Sequence, residues 1–368
     1  MPPAEGGGRE IIMKKAKRLL ALLTAASMTF LAGCATVGGT GAAPENNADA
    51  AAEEETMATE DESGAVTEDD AAQSTESGSY LVGICQLVQH PALDAATQGF
   101  KDALTEEFGE AVSFDEQNAA GDASTAATIC TNLVSEKVDL ILANATPALQ
   151  AAAAATGEIP VLGTSVTEYG VALEIDDFNG TVGGNISGTS DLPPLDRQAA
   201  MVTELFPDAK TAGILYCSAE PNSKYQADVV KQELEAAGLE VEIYTFSDSN
   251  DVSSVTGEAC DNVDVLYIPT DNTAASCTEA INNVAKPAGI PIVAGEEGIM
   301  AGCGVASLSI DYYELGVTTG KMAVRILKGE ENISEMPVEY YPNPVKKYNP
   351  ALAEALNVTI PEDYEAAN

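Results

Sequence analysis

The chain contains a single histidine, His90, together with seven cysteines and no tryptophan. A Ser-His-Asp triad would have to take its base from His90, yet no Gly-x-Ser-x-Gly elbow accompanies it. One histidine also excludes multi-histidine metal sites. The cysteines after Cys34 (Cys85, Cys130, Cys217, Cys260, Cys277 and Cys303) follow no zinc-ligand spacing. They could be disulfides or buried free thiols, and Cys85 with Cys130 is the one pair within the first half of the folded region. Neither Gly121-Asp122 nor Gly183-Gly184 has nucleotide-fingerprint spacing, so both read as turns. No catalytic centre can be assembled from these parts. The expectation is a protein that is not an enzyme and carries neither metal nor cofactor.

The residues with chemical potential are instead small, polar and amide-rich, and they fall after short apolar runs. Positioning them requires βα units. Strands are expected at 81–87, 112–116, 138–142 and 161–163, with helices opening near Pro91, Ala123 and Pro147. The pattern breaks between Gly183 and Pro194 and then restarts. Strands at 211–216, 241–246, 263–268 and 291–294 alternate with helices from near Asn222, Val252 and Thr273, and a strand at 305–310 precedes a helix at 312–327. This doubling predicts an α/β protein with two Rossmann-like lobes and a cleft between them, the alternative being one large doubly wound sheet. Ligands of open parallel sheets sit beyond the carboxyl ends of the strands. The first lobe then offers Gln86, His90, Thr146, Pro147, Ser165 and Ser190. The second offers Asp191, Tyr216, Asn222, Thr270, Asp271, Asn272, Thr273 and Glu296, and Asp311 follows the last strand.

Charge narrows the ligand. With 58 acidic and 17 basic residues the formal net charge is −41, which repels nucleic-acid backbones. The basic residues fall almost entirely on expected helices or the tail, Lys224 being nearest a strand end. A cleft without an arginine fork suits neither phosphates nor dicarboxylates. A single carboxylate could sit on helix N-terminal N–H groups after Thr146 and Thr273. An ammonium group would pair with Asp191, Asp271, Glu296 or Asp311. That arrangement fits a zwitterionic amino acid and also permits a neutral sugar or nucleoside. His90 could face the ligand or simply start a helix. The aromatics of Asp311-Tyr312-Tyr313 could stack on the ligand or pack in the core.

The N-terminus reads as an address. Lys14, Lys15, Lys17 and Arg18 precede an apolar run of about 12–13 residues, short for a membrane span and suited to a signal peptide over residues 1–33. Leu31-Ala32-Gly33-Cys34 resembles the lipobox of bacterial lipoproteins, which implies lipidation of Cys34 and a cell-membrane location on the extracytoplasmic face. Residues 35–79 hold 12 acidic and no basic residues, so the segment 34–79 is expected to be a disordered, self-repelling tether.

Several motifs occur together and in order: Gln89-His90-Pro91-Ala92-Leu93-Asp94, Ala145-Thr146-Pro147-Ala148, Ser190-Asp191-Leu192, Pro269-Thr270-Asp271-Asn272-Thr273 and Ile310-Asp311-Tyr312-Tyr313-Glu314-Leu315-Gly316. Over about residues 80–345 the chain resembles the solute-binding lipoproteins of ABC importers, in the group with tryptophan-, phenylalanine- and tyrosine-binding members. The resemblance implies a type I periplasmic-binding-protein fold with a three-segment hinge. It also implies an aromatic amino acid trapped between closing lobes and delivered to an ABC permease with its ATPase. On that basis lobe one is expected at 80–190 and 308–340, and lobe two at 191–307 and 341–368. The crossings then fall near 190–194, 302–307 and 340–344, with Gly302 and Gly304 loosening the second. A lipid-tethered sensory co-receptor, or an importer component for a neutral sugar or nucleoside, is the alternative function.

Overall fold

The computed structural model describes residues 79–367. The expected signal peptide, the lipobox with Cys34 and the acidic tether up to residue 78 lie outside the described residues.

The first lobe opens with β1 (Tyr80–Gln86), α1 (Pro91–Phe108), β2 (Val112–Asn118), α2 (Ala123–Glu136), β3 (Leu140–Asn144), α3 (Thr146–Ala155), β4 (Val161–Val166), α4 (Tyr169–Ala172) and β5 (Ile186–Ser190). The chain then builds α5 (Leu195–Leu205), β6 (Thr211–Cys217), α6 (Pro221–Ala236), β7 (Glu240–Phe246), α7 (Val252–Cys260) and β8 (Val265–Ile268). There follow α8 (Asn272–Ser276), α9 (Thr278–Ala288), β9 (Ile292–Ala294), α10 (Glu297–Cys303) and β10 (Ala306–Ser309). It returns to the first lobe for α11 (Tyr312–Leu327) and β11 (Glu339–Tyr340). It ends in the second with β12 (Val345–Tyr348), α12 (Pro350–Ala355) and β13 (Glu365–Ala366). One sheet has the order β11-β5-β4-β3-β1-β2, the other β13-β12-β10-β9-β8-β6-β7. Every pairing is parallel except that of β10 with β12.

Helices cover both faces of each sheet, so the strands are apolar on both sides. Val82, Ile84, Leu140 and Leu142 pack with Phe100, Leu104 and Met322, while Cys85, Ile141 and Ala143 face Ile129, Leu133 and Leu149. In the second lobe Ile214, Tyr216 and Tyr267 pack with Val202 and Val230, while Leu215, Leu266 and Ile268 meet Val252 and Ile281. All six described cysteines are free thiols. Helices α1 and α11 lie almost backbone to backbone. A Cβ on Gly99 would stand 2.1 Å from the Tyr313 carbonyl oxygen, and one on Gly316 would stand 2.0 Å from that of Ala96. Only glycine allows that approach.

Two expectations need correction. The break between Gly183 and Pro194 contains β5, paired with β4 on one side and β11 on the other. Its sequence, Ile-Ser-Gly-Thr-Ser, has one apolar side chain and no periodicity, because hydroxyl bonds replace packing. Ser187 Oγ donates to the Met336 carbonyl at 3.0 Å, and the hydroxyls of Thr189 and Thr319 are 2.8 Å apart. The second crossing is also displaced. Residues 306–309 pair with β9 and β12, so 308–309 belong to the second sheet and the chain crosses at 310–311. Gly302 and Gly304 are therefore not hinge residues. A Cβ on Gly302 would stand 2.3 Å from Thr278 Oγ1, and the Gly304 N–H bonds the Ile299 and Met300 carbonyls at the end of α10. The chain also passes between the sheets at 191–194 and 341–344.

Candidate functional site

Parallel strands deliver their carboxyl ends to one edge of each sheet, and in this chain the two edges face each other. His90 Nε2 in the first lobe lies 3.3 Å from Asn272 Oδ1 in the second. Helix α4 packs on α6. The lobes are closed on one another.

Along this seam several polar atoms are buried with no hydrogen-bond partner among the described residues: His90 Nδ1, Asn144 Oδ1, Thr146 Oγ1, Ser165 Oγ, Asp191 Oδ1 and Asn222 Oδ1. Such groups cost free energy unless something satisfies them. They follow β1, end β3, open α3, lie near the end of β4, follow β5 and open α6, so each occupies a strand's carboxyl end or the turn just beyond. Ser307 Oγ, also unpartnered, lies within β10 instead. Amide oxygens and a carboxylate only accept, whereas Thr146 and Ser165 can also donate. The set is rich in acceptors, with two hydroxyls left for an anion. A cavity of about 370 Å³ also opens between the lobes, lined from one by Leu87, Val88 and Pro147 and from the other by Glu220 and Thr273, although none of the six unpartnered residues is in its lining. That volume falls within the range of small-ligand sites.

The backbone bends sharply where the first lobe reaches this seam. Ala145 has φ 90° and Ser165 has φ 53°, a left-handed region that L side chains rarely adopt. Ala145 precedes α3 and supplies no capping side chain. The hydroxyl of Thr146 thus stands beside an N-terminus left without a side-chain acceptor.

The acidic candidates differ sharply in how they are occupied. Asp191 is buried and accepts the Tyr312 hydroxyl on Oδ2 at 3.0 Å, while Oδ1 is unpartnered. Burial pushes its carboxyl up to about 6, although the Tyr312 and Thr167 hydroxyls pull it back toward the charged form. Asp271 accepts the Ala274 N–H at 2.7 Å on one oxygen and the Cys217 N–H at 2.7 Å on the other, capping α8. Burial, with Glu220 nearby, pushes it up. Glu296 caps α10 through the Gly298 and Ile299 N–H groups, and burial pushes it up to about 7. Asp311 is exposed and caps α11 through the Glu314 N–H at 3.1 Å. Three of the four expected ammonium partners are thus helix caps, and Asp191 alone keeps a free buried oxygen.

The remaining candidates divide similarly. Gln86 is bound within its own lobe by Asp94, Thr97 and the Val88 carbonyl. Ser190 donates to the Thr167 carbonyl and accepts the Leu192 N–H. Tyr216 packs in the core among Leu195, Val202 and Val230, because strand alternation puts it on the side of Ile214 rather than at the edge. Thr270 accepts amide donors from Asn222 and Gln226 on its carbonyl. The Thr273 N–H and hydroxyl both go to Glu220 at 2.8 Å. The N-terminus of α8, expected to hold a carboxylate, is therefore already occupied by Glu220 and Asp271.

Asn144 and Glu220 were not singled out from their strand-end loops, and Tyr312 was read only as an aromatic that could stack on the ligand or pack in the core. Asn144 and Glu220 stand in the strand-end loops beside named residues, and Tyr312 in the motif after the last strand. Only the fold distinguishes them from their neighbours. Among the described residues no group of three or more histidine, cysteine, aspartate or glutamate side chains is placed to hold a metal ion. No described helix is long and apolar enough to cross a membrane.

Two α/β lobes joined by three crossings, with unpartnered polar groups sealed between them, define a ligand-trapping binding protein of the type I periplasmic fold. The chain belongs to the family described as ABC transporter substrate binding protein, whose model matches residues 81–367. It is a substrate-binding protein of an ABC transporter. It is 34% identical over 335 residues to a tyrosine-binding protein of Clostridioides difficile strain R20291, covering 89% of this chain and 88% of that one. Among solved structures it is similar to an ABC domain from Streptococcus pneumonia in complex with L-Trp. That match has 35% identity and TM-score 0.74, covering 77% of this chain and 97% of the other. It is also similar to the ligand-free, open structure of a substrate-binding protein with adhesive properties from Clostridium difficile. There the identity is 37% and the TM-score 0.60, covering 78% and 99%. At nearly equal identity the L-Trp complex superposes better than the ligand-free, open structure.

Proposed function

We propose that this chain captures a zwitterionic amino acid with an aromatic side chain and delivers it to an ABC permease with its ATPase, performing no chemistry. The observation that carries this is the unpartnered buried set, in which Asp191 Oδ1 offers a negative acceptor and Thr146 and Ser165 offer hydroxyls beside the uncapped start of α3. A bound ammonium satisfies the first, and a carboxylate suits the second. The L-Trp bound to one relative and the tyrosine named for another favour the aromatic class. Lipidation at Cys34 would hold the protein on the extracytoplasmic face of the cell membrane, with residues 34–79 as its tether.

A thermal-shift screen against amino acids, sugars and nucleosides tests the ligand class, since a ligand that binds the folded state raises the melting temperature by mass action. Aromatic amino acids should give the largest shifts, and their deaminated analogues little or none. Shifts from sugars or nucleosides alone would overturn the amino-acid assignment. Incorporation of labelled fatty acid, lost in Cys34→Ala, tests the anchor.

A further inference from the structure

His90 and Asn272 meet across the cleft, and their distance alone does not say which one donates. The answer comes from Glu220, a buried carboxylate just before α6. Its Oε2 lies 2.7 Å from Asn272 Nδ2 and 3.0 Å from the Asn272 backbone nitrogen, and its Oε1 lies 2.8 Å from both the nitrogen and the hydroxyl of Thr273. Asn222 Nδ2 adds a longer contact at 3.3 Å. Each of these groups donates, so Glu220 serves only as an acceptor. The Asn272 amide must therefore turn its NH₂ toward Glu220 and its oxygen toward His90. An amide oxygen cannot donate, so the proton between them belongs to His90 Nε2. Burial disfavours the imidazolium. A neutral ring protonated at Nε2 has a bare lone pair at Nδ1, and that atom is buried with no partner among the described residues.

We propose that Glu220, acting through Asn272, fixes His90 as its Nε2–H tautomer when the lobes close, and that His90 Nδ1 then accepts a hydrogen bond from an N–H or O–H of the bound amino acid. This rests on the amino-acid-capture reading. His90 is thus at once the clasp between the lobes and a ligand acceptor. Glu220 is a positioning residue that need not touch the ligand. The arrangement ties recognition to closure, because the tautomer that can receive the ligand's hydrogen is the one the opposite lobe selects.

The test uses the full chain labelled with ¹⁵N-histidine and L-tyrosine as the probe. His90 is the sole histidine, so its two ring nitrogens give the only labelled imidazole signals and need no assignment by mutation. With L-tyrosine saturating, Nε2 should resonate as a protonated, pyrrole-type nitrogen. Nδ1 should resonate as a bare, pyridine-type nitrogen displaced toward the hydrogen-bonded range. In Glu220→Gln the carboxamide can present an NH₂, which allows the Asn272 amide to reverse and offer its own NH₂ to His90. The ring should then shift toward the Nδ1–H tautomer, and affinity for L-tyrosine should fall about tenfold or more. The wild-type spectrum decides even if that variant does not fold. An Nδ1–H tautomer, an imidazolium, or an Nδ1 signal unmoved while calorimetry shows binding would overturn the role of His90 and leave amino-acid capture standing. Absence of both heat and spectral change with L-tyrosine, L-tryptophan and L-phenylalanine would overturn both.

Discussion

Helices α3 and α8 both begin at the ligand cleft, one in each lobe, and their first turns are handled in opposite ways. Helix α3 starts after Ala145, which has no side chain to cap it, and its first hydroxyl, on Thr146, is buried and unpartnered. Helix α8 starts under two carboxylates, Asp271 taking the Ala274 N–H and Glu220 taking those of Asn272 and Thr273. An α-helix start attracts negative charge. The second lobe satisfies that demand with its own side chains, whereas the first leaves it open. The lesson is that a strand-end loop rich in Asp, Asn and Thr is not by itself a binding loop. Such residues can exhaust one another's hydrogen-bonding capacity, and the groups that remain unpartnered matter most.

The sharpest way to break this comparison is to remove the one acidic group with an open oxygen. Asp191→Asn keeps the shape and deletes the charge, so an ammonium would lose its counter-ion in a buried site. That should cost about 3–5 kcal/mol, or roughly two to four decades of affinity for the best amino acid. It should also remove most of the discrimination against the deaminated analogue. Calorimetry with both ligands measures this, and a change below threefold in the first would remove Asp191 from the site.

Acid should act in the same direction more gradually. Asp191 is raised by burial to about 6, against about 3.9 for an ordinary aspartate. A carboxyl raised in the folded state adds stability that is complete below about pH 4 and is lost as pH climbs through about 6. The protein alone is therefore favoured by protonation there, whereas a bound ammonium requires the carboxylate. Tyr312 and Thr167 face Asp191 with hydroxyls, the Tyr169 phenol is close by, and Glu296 is the nearby acid, itself raised to about 7. Affinity should be level above about pH 7 and fall below about 6, approaching tenfold per pH unit. In Asp191→Asn the fall should disappear. Titrations in buffers of different ionisation enthalpy would show proton release on binding near pH 6 in the wild type only.

The two helix starts can be compared directly. Thr146→Val should lower affinity about tenfold, near 1.4 kcal/mol, with little change in melting temperature, because the lost hydroxyl has no protein partner. Thr273→Val removes a bond to Glu220 and should do the reverse, costing about 1 kcal/mol of stability while leaving affinity within about twofold. Equal effects on affinity would mean that the ligand uses both helices. The smallest effect belongs to Asp271→Asn. Asparagine is also a good cap, so only the contact with the Cys217 N–H is disturbed. Stability should fall by about 1 kcal/mol or less, and selectivity for the amino group should not move.

Much of the architecture was legible because it rests on apolar periodicity. The runs around Val82, Ile141, Ile214 and Leu266 announce buried parallel strands, and Pro91 and Pro147 mark helix starts. Strand β5 was not legible, since serine and threonine hydroxyls hold it where side-chain packing usually would. The second crossing was misplaced because an apolar run around Val305 shows that a strand exists but not which sheet it joins. For the candidate site, the sequence pointed to the strand-end loops. It could not rank Asp191 above Asp271, Glu296 and Asp311, because all four precede helices and only Asp191 caps none. Tyr216 was misread because its position at a strand end says nothing about which side of the sheet it faces.

The bond between Asp191 and Tyr312 joins the first crossing of the chain to the first residue beyond the second. In mechanical terms the charge that would grip the ligand sits at the fulcrum, while the clasp between His90 and Asn272 holds one jaw to the other. A load applied at a pivot moves it little, yet fixes the angle at which the whole lever comes to rest. Small shifts at such a point become large ones at the rim. A ligand with the right ring and no amino group would then lie between the jaws without setting their angle. The surface offered to a permease would then differ in shape for such a ligand, in addition to its lower affinity.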